Sequence, residues 1–243
     1  GGGTRLNASY IFRKDFSAKK FLHFNFLNPY SHTYGFTLAE VLVTLGIIGV
    51  ISAMTVPSLI QNYQRQSYVT QLHKVYNELS QALLHYQADN GALNLKEAGL
   101  TSYNNVDDFV KKYFKIVQEC DTMDNCFASK YGTLAGSTAS NYNKSVKSYV
   151  LSSGVSIRPG LIIEDDRLIN LAVDINGQKG PNIAGRDIFW LVIYSNGVID
   201  DFSTSAPLSV EERQNLYDRY CSTGADFYGC FGKILNDNWQ MNY

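Results

Sequence analysis

The chain is 243 residues long with a formal net charge of −1, a length that admits one large domain or two small ones. The charge is unevenly divided. Residues 1–35 carry +4 and residues 36–56 carry −1, leaving −4 for the remainder from Pro57. An acidic body gives no electrostatic reason to bind nucleic acid, and none is expected as a partner.

Residues 1–35 have no clear fold. Arg5, Arg13, Lys14, Lys19 and Lys20 make the segment basic, and its apolar Phe21, Phe24, Phe26 and Leu27 are broken by Asn25, Asn28 and Pro29. The segment reads as a disposable leader. The chain does not open on methionine, so the natural start is expected to differ from residue 1.

Residues 36–89 read as one long helix. Phe36–Val56 hold a single charge, Glu40, in a run long enough to span a bilayer. The basic segment before it favours the cytoplasmic side and places the C-terminal body outside. Gly46 and Gly49 permit close approach of another helix. Pro57 removes a backbone donor and is expected to bend or locally melt the helix. Beyond it Tyr68, Leu72, Val75, Leu79, Ala82, Leu83 and Tyr86 recur at three- and four-residue steps, a stripe that should pack on the body. Asn90-Gly91 is the expected stop.

Residues 90–243 remain for a globular domain. Val106, Phe109, Val110, Tyr113 and Phe114 give helical spacing over 106–117, and 129–148 is polar and Gly/Ser-rich, the pattern of a surface loop. Strands are predicted at 149–152, 161–164, 168–174, 188–195 and 198–202, with turns at Asp165-Asp166 and Asn196-Gly197. A short helix at 210–221 precedes a Gly-rich tail. Four cysteines in an exported body suggest two disulfides, and the local pairings Cys120–Cys126 and Cys221–Cys230 are favoured because each closes a short loop of turn residues. Their spacings do not suit zinc, and free thiols are the other alternative.

Two sets of residues invite a chemical reading. In the loop 174–187, Asp174, Asn176 and Asp187 offer hard oxygens to Ca²⁺, while the same Asn-Gly and Gly-Pro-Asn steps are also ordinary turn chemistry. His73 and His85 lie twelve residues apart on the helix, too far to share a metal. No catalytic pattern of the GxSxG, P-loop or HExxH kind occurs, so no enzyme is indicated.

The run Gly35, Phe36, Thr37, Leu38, Ala39, Glu40, with Pro57 at the twenty-second position after the glycine, resembles the class III signal of type IV prepilins and type II secretion pseudopilins. The resemblance covers about 30 residues. It implies an α+β pilin fold, a long N-terminal helix packed on an antiparallel sheet. It implies cleavage between Gly35 and Phe36 by a prepilin peptidase, N-methylation of Phe36, and pairing of Glu40 with the Phe36 amine of a neighbouring subunit. The implied setting is a single-pass protein of the inner membrane with its body in the periplasm or outside the cell. The implied partners are other pilins in a filament and an inner-membrane assembly platform. Some major pseudopilins hold calcium in a loop of the 174–187 region. A membrane-tethered calcium- or ligand-binding module that never polymerises is the rival reading.

Overall fold

The computed structural model describes residues 35–139 and 143–243, so the expected leader lies outside the described residues except for Gly35. The chain divides into an N-terminal unit, Gly1–Val50, and a body, Ile51–Tyr243. Helix α1 is assigned from Leu38 to Asp89. It stays helical through Pro57, so the expected local melting does not occur. A proline's fixed φ suits a helix, and the cost here is one missing donor.

In the body, α1 buries Val69, Leu72, Val75, Leu79, Ala82 and Leu83, and Tyr68 and Tyr86 lie half-buried beside them. The helix ends at Asp89, where Gly91 takes φ +60° and donates its N–H to the Ala88 carbonyl. Helix α2 (Tyr103–Tyr113) starts where the Ser102 hydroxyl accepts the Asn105 N–H, and it buries Val106, Phe109 and Val110. The helical spacing seen in the sequence runs on to 117, but the chain turns extended at Phe114. The β-branched pair Ile116-Val117 joins strand β1 (Ile116–Cys120) instead. Asp107 pins α2 to the sheet. Its carboxylate accepts Lys111 at 3.1 Å, Lys147 at 2.9 Å and the Tyr149 hydroxyl at 2.6 Å.

Strands β4 (Ser148–Leu151), β5 (Ser156–Glu164), β6 (Arg167–Asp174), β7 (Ile188–Tyr194) and β8 (Ile199–Asp200) complete a six-stranded antiparallel sheet in the order β1-β4-β5-β6-β7-β8. Both predicted turns are present. Asp165-Asp166 joins β5 to β6 with Asp165 at φ +54°, and Asn196-Gly197 joins β7 to β8 with Gly197 at φ +82°. The long helix and this sheet make the α+β pilin-type architecture that the sequence implies.

The sheet is covered on both faces. Phe189, Leu191 and Ile193 of β7 share the main core with the α1 stripe. Trp190 and Ala172 point the other way, into a second core with Met123, Phe127, Tyr131, Ala139 and Phe227. The segment expected to be a surface loop therefore supplies part of that cover. Tyr131 and Ala139 are buried and lie on the small hairpin β2 (Tyr131–Gly132) and β3 (Thr138–Ala139). Polar composition concealed it, because only a few of its side chains turn inward. The disulfides are the local ones, Cys120–Cys126 and Cys221–Cys230.

The C-terminal region holds more structure than its glycines suggest. Helix α3 (Val210–Leu216) opens on a Ser209/Glu212 capping box and continues as a π turn, Tyr217–Cys221. Helix α4 (Cys230–Asn236) follows. Two adjacent acids at the edge of the sheet hold these helices. Asp200 takes a two-point ion pair from Arg213, Nε to Oδ1 at 2.8 Å and Nη2 to Oδ2 at 2.7 Å. Asp201, fully buried, accepts the backbone N–H groups of Phe202, Gly229 and Gly232 at 2.7–2.8 Å. Asp201→Ala leaves three inward-facing N–H groups without an acceptor, a loss of about 3 kcal/mol. Thermal unfolding should show a Tm lower by roughly 6–12 °C for a body of this size, with partial recovery in Asp201→Asn. An unchanged Tm in Asp201→Ala would contradict this account of the C-terminal clamp.

Candidate functional site

The first turn of α1 is built around Thr37 and Glu40. The helix leaves its first backbone N–H groups without intrahelical acceptors. Glu40 Oε2 accepts both the Thr37 N–H, at 2.8 Å, and the Thr37 hydroxyl, at 2.9 Å. The Thr37 hydroxyl oxygen in turn accepts the Glu40 N–H at 3.2 Å. This is a reciprocal capping box, with threonine at the cap and glutamate three residues on. It draws the Glu40 carboxylate back onto Thr37 at the start of the helix, the residue that follows Phe36. Sequence reading singled out Glu40 for its charge. The role of Thr37 was missed, although the spacing T-x-x-E signals it.

Gly35 and Phe36 are accessible. Phe36 is 87% exposed, and a Cβ added to Gly35 would meet nothing within 4 Å. After them α1 presents apolar side chains around its whole circumference, among them Leu42, Leu45, Ile48, Ile51 and Met54, all more than half exposed. The most apolar 18-residue window of α1 has a mean hydropathy of 2.0, and none of it is buried. Two of its hydroxyls are satisfied internally. Thr44 donates to the Glu40 carbonyl and Thr55 to the Ile51 carbonyl, each at 2.9 Å, as a hydroxyl in an apolar helix requires. Gly46 and Gly49 face open space.

The loop after β6 brings Asp174, Asn176 and Asp187 together. Asp174 Oδ1 accepts the Asn176 N–H at 3.2 Å, and its Oδ2 accepts the Tyr131 hydroxyl. Asp187 accepts the N–H groups of Asn182 and Ile183, both at 2.6 Å, and the Asn176 side-chain amide at 3.5 Å. Each of these contacts brings a donor to a carboxylate, as a closed turn requires. Two oxygens do not fit that pattern. Asn176 Oδ1 and Asn182 Oδ1 are buried without hydrogen-bond partners. Among the described residues, no three His, Cys, Asp or Glu side chains gather closely enough to hold a metal ion. His73, set aside as a ligand, stacks on Trp239 with 4.0 Å between ring centroids.

Residues 31–56 match the protein family described as the prokaryotic N-terminal methylation motif. The match covers about a tenth of the chain. No curated protein and no solved structure matches the chain. The chain thus carries the class III prepilin signal of type IV pilins and pseudopilins, ahead of a helix apolar enough to anchor it in a membrane by a single pass. That signal makes it a pilin-like substrate of prepilin peptidase.

Burial pushes the Asp174 carboxyl up to about 7 from 3.8, with the neighbouring Asp187 adding to the rise and the Tyr131 hydrogen bond opposing it. Burial likewise raises Asp187. Between pH 4 and 7 the folded body therefore keeps a proton on Asp174 that the unfolded chain has released, and stability falls as pH rises through that window. Asp201, raised to about 6, completes its own part earlier. The Tm of the wild type should fall between pH 4 and 7, and Asp174→Asn should show a shallower fall over the same range. Equal slopes would contradict the assignment.

Proposed function

We propose that this protein is a structural subunit of a type II secretion pseudopilus or a type IV pilus, with no catalytic activity of its own. The precursor sits in the inner membrane with its body in the periplasm. Cleavage after Gly35 exposes the Phe36 amine, which is then methylated. Glu40 of one subunit pairs with that amine on a neighbour, and the assembly platform adds subunits one by one. The observation that carries this reading is the first turn of α1. A carboxylate in an apolar helix is costly unless it has a partner or a task. Thr37 occupies only Oε2 of Glu40, and among the described residues Oε1 takes no hydrogen bond, which leaves it for the new amine. Opposite charges meeting there would neutralise each other in a dry filament core.

The second reading, a tethered calcium-binding module, is supported by the orphan oxygens of Asn176 and Asn182 beside two buried acids. Those groups would be first to turn toward a hard cation, which prefers six to eight oxygen ligands.

Cysteines introduced singly at exposed positions between 42 and 54 separate the two. A filament subunit should give helix-to-helix crosslinks between copies in wild-type cells, and Glu40→Ala should be cleaved normally yet lose about nine-tenths of the crosslinked product, as loss of a charge-assisted contact predicts. Monomer only, together with a Tm that rises in millimolar calcium chloride, would replace this reading with the tethered module. Undiminished crosslinking in Glu40→Ala would remove Glu40 from assembly.

A further inference from the structure

The face of the sheet turned away from the α1 stripe holds a cationic side chain with no counter-charge. Arg158 is 4% exposed, and it takes part in none of the ion pairs among the described residues. Its Nε has no hydrogen-bond partner, and its single hydrogen bond, from Nη1 to the Asn170 carbonyl, is long at 3.4 Å. A guanidinium remains charged even where burial lowers its pKa, as it does here. A buried charge without a partner is strongly destabilising, so a fold that keeps one has a use for it.

The surroundings are shaped to the guanidinium. Gly160 lies two residues along β5, on the same face of the pleat. A Cβ there would come within 2.6 Å of Arg158 Nη1. Glycine weakens a strand interior and marks a place where something must approach the backbone closely. Directly across the ladder from Gly160 is Asn170. Its Nδ2 donates to the Tyr228 hydroxyl, while its Oδ1 is buried with no donor. Arg158, Gly160, Asn170 and Tyr228 line one cavity of about 230 Å³, with Tyr103 and Asp226 also on its wall.

We propose that this cavity binds a hydroxylated carboxylate of the size of one acidic sugar residue. The two unmet groups define the ligand. The guanidinium fork matches a carboxylate in a two-point contact. The Asn170 oxygen lacks a donor, which a ligand hydroxyl supplies, and Asp226 and Tyr228 can accept further hydroxyls. The volume lies below the 300–1,000 Å³ usual for drug-sized ligands, which limits the occupant to a single small ring. A free sugar acid and the acidic end of a sugar chain share this chemistry. The site lies wholly within the body.

The test is calorimetric titration of the full-length protein in detergent micelles with D-glucuronate. Wild type should bind it and should not bind D-glucose. Arg158→Gln should weaken binding at least about tenfold, the effect expected for losing a charge-assisted hydrogen bond. Its Tm should hold or rise, because an unpaired buried charge is removed. Gly160→Ala keeps the charge but crowds the guanidinium, and it too should bind at least about tenfold more weakly. A glucuronate-terminated disaccharide binding more tightly than the monomer supports a chain end as the source, and equal binding supports the free acid. No heat with D-glucuronate, equal binding of D-glucose, tighter binding of inorganic phosphate, or wild-type affinity in either variant would overturn the proposal. A lowered Tm in Arg158→Gln with unchanged affinity in Gly160→Ala would mark Arg158 as purely structural.

Discussion

An α-helix with apolar side chains on every side has no face to give to water. That constraint governs this chain. Residues 36–56 contain one charge, and none of the most apolar window of α1 is buried by the rest of the protein. Such a helix needs lipid or other apolar helices around it. The cleavage position decides which will serve. A cut after the span would discard the apolar helix, whereas the cut proposed at Gly35-Phe36 would leave it on the mature protein. The Thr37–Glu40 capping box satisfies the Thr37 and Glu40 N–H groups of its first turn and holds a carboxylate at the start of the helix.

The body meets a different requirement. Its part of α1 has a single buried stripe, and one face of the sheet closes over it with the main core. β7 is buried along its whole length, so the opposite face also needed cover. The cover comes from irregular chain between residues 120 and 139 and from the C-terminal region. Such chain brings backbone donors inside, and side-chain carboxylates satisfy several of them. Asp201 takes three N–H groups near α4, and Asp187 takes two in the loop after β6. The buried acids of this protein are therefore mostly acceptors for loop backbone. Arg158 is the exception that no neighbour balances, and it lies in a cavity.

What could be read from the sequence follows from how local each signal is. The helix, its stop at Asn90-Gly91, the inward stripe and the two tight turns depend on residues close together in the chain, and all were legible. So were the local disulfides. The second cover was not, because a polar loop that turns Tyr131 and Ala139 inward carries no periodicity. Helix α4 was hidden by glycines, two of which, Gly229 and Gly232, pack against Leu216, Arg213 and Asp201. The helical spacing past Tyr113 was overridden by pairing of β1 with β4, a contact between segments about 30 residues apart. At the proposed processing site, the motif pointed to Gly35, Phe36 and Glu40, while Thr37 had a visible signal that charge-based reading passed over. Arg158 gave none, since a lone arginine in a strand acquires meaning only from what fails to surround it.

The central claim is that this helix is a retained assembly element exposed by cleavage ahead of it. Mass spectrometry of the N-terminal peptide from protein in wild-type cells tests that claim most directly. The account predicts a mature chain beginning at Phe36 with a methylated amine, and the unprocessed form accumulating in Gly35→Ala. A chain that keeps residues before Phe36, or one cut beyond Pro57 so that the apolar helix is lost, would contradict it.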